Sequence, residues 1–91
     1  MRITYDPAKR IKTLATRKLD FDDAWRVLTG DCCTKPDTRR NYGEHRYLCF
    51  GMLNGRMVVV GYTPRNGAYH VFTMRKANAR EKRQYAELLR N

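Results

Sequence analysis

The side chains of this sequence best suited to act on another molecule are cations set among aromatic rings. Arg39, Arg40, Arg46, Arg56, Arg65, Arg75, Lys76, Arg80, Lys82 and Arg83 are interleaved with Tyr42, Tyr47, Tyr62, Tyr69 and Tyr85. Cationic groups neutralise phosphates with release of counterions, and aromatic rings offer stacking surfaces to unpaired bases. The same groups would serve a reaction. RNA is cut without a metal when a base takes the 2′-hydroxyl proton and that oxygen attacks the adjacent phosphate. Cations then hold the pentavalent charge, and an acid protonates the leaving 5′-oxygen.

Other chemistry has less support. His45 and His70 are the two imidazoles, and neither stands in a catalytic spacing. Glu44 and Arg46 alternate, which suits a salt bridge better than general-base work. Cys32, Cys33 and Cys49 form no disulfide framework, and with the two histidines they lack the spacings that build zinc sites. Neither glycine-rich phosphate signature occurs, so no metal and no cofactor is expected.

The elements that must position these groups come from a short, strongly basic chain. Its 91 residues carry 19 Lys and Arg against 9 Asp and Glu, a net charge of +10. That length supports one core and argues against a two-domain enzyme, so residues 1–91 are read as a single domain. At 42% hydrophobic residues the chain is expected to fold. It has no apolar run of membrane-spanning length and no secretory leader, and its odd cysteine count fits a reducing compartment; a cytoplasmic protein is expected.

Arg2 to Tyr5 alternates like a strand, and Asp6-Pro7 then supplies a helix cap and first turn. Ala8, Ile11, Leu14 and Ala15 recur at helical spacing and are expected to face the core. Asp20 caps a second helix with Ala24, Trp25 and Leu28 as its apolar members and Gly30 as its stop. Residues 31–43 read as a connection or an edge strand. His45 to Leu53, Met57 to Thr63 and Ala68 to Arg75 then form a three-stranded antiparallel meander, joined by Asn54-Gly55 and Asn66-Gly67, pairs that favour type I′ turns. Asn78 and Glu81 form a capping box for a basic last helix with Tyr85, Leu88 and Leu89 on a narrow stripe, expected to dock lightly or project. The fold class is thus α+β. Two N-terminal helices pack on a small twisted antiparallel sheet, the meander plus a short N-terminal strand, and a basic helix follows.

Within the last strand, Thr73 and Arg75 share parity with Tyr69 and Val71, and Lys76 follows at its end. Arg65 stands beside the Asn66-Gly67 turn. A strict two-residue turn pairs Arg65 with Ala68 and puts it opposite Arg75, so for both to approach one phosphate a bulge is required, for example at Gly67.

Several segments, taken in order, resemble the BrnT toxins of bacterial type II toxin-antitoxin pairs, within the wider RelE-like ribonuclease group. They are Asp6-Pro7-Ala8-Lys9, Leu19-Asp20-Phe21-Asp22-Asp23-Ala24, Asp37-Thr38-Arg39 with Tyr42-Gly43-Glu44 and Arg46, Gly51-Met52-Leu53-Asn54-Gly55-Arg56, Tyr62-Thr63-Pro64-Arg65, and Thr73-Met74-Arg75-Lys76-Ala77-Asn78 with Arg80-Glu81. The resemblance implies a RelE-like fold and a metal-independent endoribonuclease that arrests translation. It also implies neutralisation by a BrnA-type antitoxin in a hetero-oligomer, with operator DNA bound only through that antitoxin. By the same likeness Arg65, Arg75 and Lys76 are the expected active residues with Thr73 beside them, and Arg39 and Arg46 are secondary. Arg17 is a phosphate-binding candidate, and Tyr69 and His70 complete the RNA-binding set. The chain departs from the family where Thr16-Arg17 replaces a Lys-His pair, where Thr73 replaces a commoner Ser, and where Tyr69-His70 replaces basic residues. A non-catalytic basic RNA- or DNA-binding module is the main competing reading, and a subunit that holds an acidic protein partner is the third.

Overall fold

The computed structural model describes residues 1–89. In chain order it contains β1 (Ile3–Thr4), α1 (Pro7–Arg17), a 3₁₀ turn (Phe21–Asp23), α2 (Ala24–Leu28), β2 (Cys32–Pro36), β3 (Tyr47–Leu53), β4 (Arg56–Arg65), β5 (Ala68–Lys76) and α3 (Ala79–Leu89). The five strands form one sheet in the order β1-β5-β4-β3-β2. The expected meander is its centre, and both Asn-Gly turns carry positive φ at both residues, as type I′ geometry requires. Two features change the expected antiparallel sheet. The short first strand pairs parallel to β5, which makes the sheet mixed. The segment after Gly30 forms an edge strand that pairs with β3 and ends at Pro36, a residue that edge positions tolerate.

Side chains alternate across the pleat, so the sheet has two apolar faces and each needs a cover. On the first, Cys49, Leu53, Val58, Val60, Val71 and Met74 pack against Leu19, Phe21, Ala24 and Val27. The cover comes from the 3₁₀ turn and α2, with Trp25 left 53% exposed rather than buried. Helix α1 contributes no buried residue. Its docking is polar: Arg10 donates from Nε to Asp20 at 2.8 Å, and Arg17 donates from Nη1 to the Met74 carbonyl at 3.0 Å. Those bonds turn the Arg10, Thr13 and Arg17 side of the helix inward. The stripe expected to be buried therefore faces solvent, with Ile11 66% and Leu14 40% exposed.

The second face is covered by α3, which docks firmly rather than lightly. Tyr85 stacks on Phe50 with ring centres 4.2 Å apart, and Leu48, Met57, Val59, Ala77 and Leu89 complete that core. Two buried side chains of the helix, Tyr85 and Leu89, suffice to seat it. The capping box forms as expected: Glu81 N–H donates to Asn78 Oδ1 at 2.8 Å, and Asn78 N–H donates to Glu81 Oε1 at 3.0 Å.

Candidate functional site

The geometry of the arginine strands turns on one register shift between β4 and β5. From the turn inward Arg65 pairs with Ala68, Thr63 with His70 and Tyr62 with Val71, but Gly61 then pairs with Thr73. Phe72 is the extra residue of a β-bulge. Beyond it Val59 pairs with Arg75, so Arg65 and Arg75 both stand opposite or among the odd-numbered positions of β4 and share one face. Convergence thus comes from a bulge in mid-strand, while the Asn66-Gly67 turn keeps its strict two-residue form. Gly61 makes room for it. A Cβ built there would lie 2.5 Å from Thr73 Cγ2 and 2.8 Å from Phe72 Cζ, which also shows that Phe72 and Thr73 both point to this face.

Arg65 and Arg75 share the face without meeting at one point. Their β4 positions, 65 and 59, are separated by roughly 20 Å at about 3.3 Å per residue. Each also turns to its own carboxylate: Arg65 Nη2 to Glu44 Oε1 at 3.1 Å, and Arg75 through Nη1 and Nη2 to Glu81 at 2.7 and 2.8 Å. Arg46 bridges the space between. Its guanidinium lies 4.2 Å from the Tyr42 ring centre and 4.5 Å from that of Phe72, and its Nε donates to Glu44 at 3.1 Å. The result is a row, Arg65 to Glu44 to Arg46 to Phe72, with Thr73 and Arg75 beyond. Hydrogen bonds from Arg46 and Arg65 hold Glu44 below its ordinary carboxylate range, so it stays charged.

Residues 37–46 wall one side of this row. Asp37, 7% exposed, accepts from Arg39 Nε and Nη2 at 2.8 Å each and from the Tyr42 hydroxyl at 3.2 Å. An open cleft of about 640 Å³ runs along the segment, lined by Asp37, Arg40, Tyr42, His45 and Arg46 among others. Arg39 is close enough to Arg75 for their charges to repel, which opposes the stabilisation that Glu81 gives Arg75. A polyanion relieves such repulsion.

The remaining expected site residues are dispersed. Lys76 pairs with Val58 and so points to the opposite face from Arg75. Arg17 is spent on the Met74 carbonyl. Tyr69 also lies on the other face, where it meets Tyr62 at 5.0 Å, and Tyr62 stacks on Tyr47 at 5.5 Å. His70 does belong to the arginine face, opposite Thr63, with Nδ1 2.8 Å from Thr4 Oγ1. Burial, helped by Arg65, lowers its pKa, which favours the neutral ring. Burial also pushes the Cys49 thiol up to about 12, leaving it protonated and inert. Among the described residues no group of three or more His, Cys, Asp or Glu is placed to hold a metal ion.

Sequence reasoning missed Phe72 as an arginine platform and Glu44 as the carboxylate shared by two arginines. A signal for the first was present: a glycine inside the apolar run Val58 to Val60 and Tyr62 marks a bulge or a close approach.

Arg39 holds the Asp37 carboxyl at about 2, and Arg75 holds that of Glu81 at about 2. Both values lie below those of unfolded carboxylates, so their stabilisation is complete above about pH 5 and is lost as pH falls toward 2. The thermal unfolding midpoint is expected to drop steeply across that window. Asp37→Asn should lower it at pH 7 and flatten the drop; an unchanged pH profile in this variant would contradict the assignment.

Comparison with known proteins identifies the family of the chain. The model of the family described as "Ribonuclease toxin, BrnT, of type II toxin-antitoxin system" matches residues 5–81, which include every strand and helix start described above except β1. The chain belongs to the BrnT toxin family. It is therefore a BrnT-type toxin of a type II toxin-antitoxin system, a family of ribonuclease toxins. Among solved structures, the crystal structure of the Brucella abortus ribonuclease toxin BrnT is similar at a TM-score of 0.67 and 28% identity, covering 86% of this chain and 97% of that one. No curated protein matches the chain. The α+β fold, with a five-stranded mixed sheet and three α-helices among the described residues, is similar to that BrnT structure. No described helix is long and apolar enough to cross a membrane.

Proposed function

We propose that this BrnT-family chain is a metal-independent endoribonuclease whose RNA lies along the face carrying Arg65, Arg46 and Arg75. The observation that carries the reading is the Phe72 bulge, because it gathers Arg65, His70, Phe72, Thr73 and Arg75 on one side of the sheet. A single strand crossing that face meets cations for its phosphates and the Tyr42 and Phe72 rings for its bases. Arg75 and Arg46, with Arg39 beside them, stabilise the pentavalent phosphate, and Thr73 offers a hydroxyl donor. His70 stands opposite Thr63, about 13 Å along β4 from the position of Arg75, and at that end of the row it contacts the bound RNA rather than the scissile phosphate. Attack by the 2′-oxygen then expels the 5′-oxygen, leaving a 2′,3′-cyclic phosphate on one fragment and a 5′-hydroxyl on the other.

In the cell this activity arrests translation until a BrnA-type antitoxin binds, forming a hetero-oligomer that contacts operator DNA through the antitoxin. We further read residues 1–91 as one RelE-like domain acting in the cytoplasm. The test is incubation of purified toxin with single-stranded RNA in excess EDTA. Cyclic-phosphate ends that form at the rate seen without chelator are expected. Loss of cutting in EDTA contradicts metal independence, and tight binding without scission selects the non-catalytic nucleic-acid module.

A further inference from the structure

Helix α1 presents an apolar stripe that nothing among the described residues covers. At 100° per residue Ala8, Ile11, Leu14 and Ala15 fall on one side, Lys12 borders that side along one edge, and Lys18 closes its C-terminal end. The opposite side, with Arg10, Thr13 and Arg17, is the one held to the body of the protein. Amphipathic helices normally bury the apolar side and leave the polar side wet. Here the order is inverted, and specific bonds fix it: Arg10 also reaches Asp22 at 3.3 Å, and its hydrogen bonds to Asp20 lower that carboxyl's pKa. An exposed isoleucine and leucine at i and i+3, bordered by lysines, match the anchor pattern by which one helix receives another.

We propose that the α1 stripe is a docking site for the antitoxin, taken up by an amphipathic helix with acidic flanks; this rests on the toxin-antitoxin reading above. Charge decides among occupants. A second copy of this chain would bring Lys12 and Lys18 against their own counterparts on a protein of net charge +10, whereas an acidic helix pairs with both. A bilayer is a poor match, because an eleven-residue helix with two large apolar side chains has little to insert. Helix α1 lies beside the 3₁₀ turn and carries none of the row Arg65, Arg46, Phe72, Thr73 and Arg75. The antitoxin segment on α1 therefore anchors the complex, and another part of the antitoxin must reach the RNA face.

The experiment uses the full-length toxin and the antitoxin encoded in the adjoining reading frame. Ile11→Gln with Leu14→Gln removes the apolar contact at exposed positions with a good helix former. The affinity for antitoxin is expected to fall at least tenfold, while EDTA-resistant RNA cutting by the free variant and its unfolding temperature stay at wild-type values. Lys12→Glu with Lys18→Gln is expected to weaken binding comparably and to flatten its salt dependence. Affinities within twofold of wild type for both pairs would overturn the proposal. So would a dimer of the toxin alone, or binding to phosphatidylserine vesicles, that Ile11→Gln with Leu14→Gln abolishes. The nuclease reading is scored separately: a wild type that cuts no RNA but binds antitoxin through α1 sinks that reading and leaves this one standing.

Discussion

Arg75→Ala is expected to lower the rate of RNA cutting by about 10²–10³, the loss typical when one preorganised donor to a developing anionic charge is removed. Arg75 stands next to Thr73 on the bulged strand, is repelled by Arg39 and is held by both oxygens of Glu81. Fixed cations of this kind stabilise a charge that appears only in the transition state, so the loss should fall on kcat more than on KM. The same contacts supply a competing explanation, because Glu81 also serves in the capping box of α3 and removing its partner could simply loosen that helix.

Glu81→Gln separates the two. Glutamine at this position still accepts from Asn78 N–H and completes the box, but no longer neutralises Arg75. An arginine that acts on RNA predicts cutting within about threefold of wild type in Glu81→Gln against a loss of two or more orders of magnitude in Arg75→Ala. A pair that matters only for packing predicts similar losses in both. Equal losses, with matching drops in thermal stability, would remove Arg75 from the reaction.

The parts of this molecule that were readable from sequence are those fixed by local chemistry. Asn54-Gly55 and Asn66-Gly67 set their turns because type I′ geometry needs positive φ at both positions, and Asp6-Pro7 and Asn78 with Glu81 set helix starts through their own hydrogen bonds. Helix α1 shows where that logic ends. Periodicity reports that one side is apolar, but whether that side meets the body depends on partners such as Asp20 and the Met74 carbonyl, which lies 57 residues from Arg17. Helix α3 fails in the other direction, since the ring of Phe50 that seats Tyr85 belongs to a strand far away in sequence. At the candidate site the residue types were legible and their sides were not. Strict alternation places Arg65 and Arg75 on opposite faces, and one extra residue reverses every side chain beyond it.

That single residue makes Gly61 a sensitive position of the sheet. Its φ is ordinary, so the constraint is space: an alanine Cβ would sit 2.5 Å from Thr73 Cγ2 and 2.8 Å from Phe72 Cζ, so Thr73 must leave its χ1 rotamer and the Phe72 ring must shift as well. Gly61→Ala is expected to destabilise the fold by about 1–3 kcal/mol through this overpacking. For a domain of this size that lowers the unfolding temperature by roughly 5–20 °C. Activity should fall as well, because relief of the clash by losing the bulge would carry Thr73 and Arg75 to the face of Val58 and Val60, away from Arg46 and Arg65. Thr73→Ser deletes the methyl group that the new Cβ strikes and keeps the hydroxyl. Adding it to Gly61→Ala should therefore restore part of the stability and of the RNA cutting together. A Gly61→Ala protein that melts and cuts like wild type would mean that the bulge does not organise the arginine face, and the positions of Arg75 and Thr73 would then need another cause.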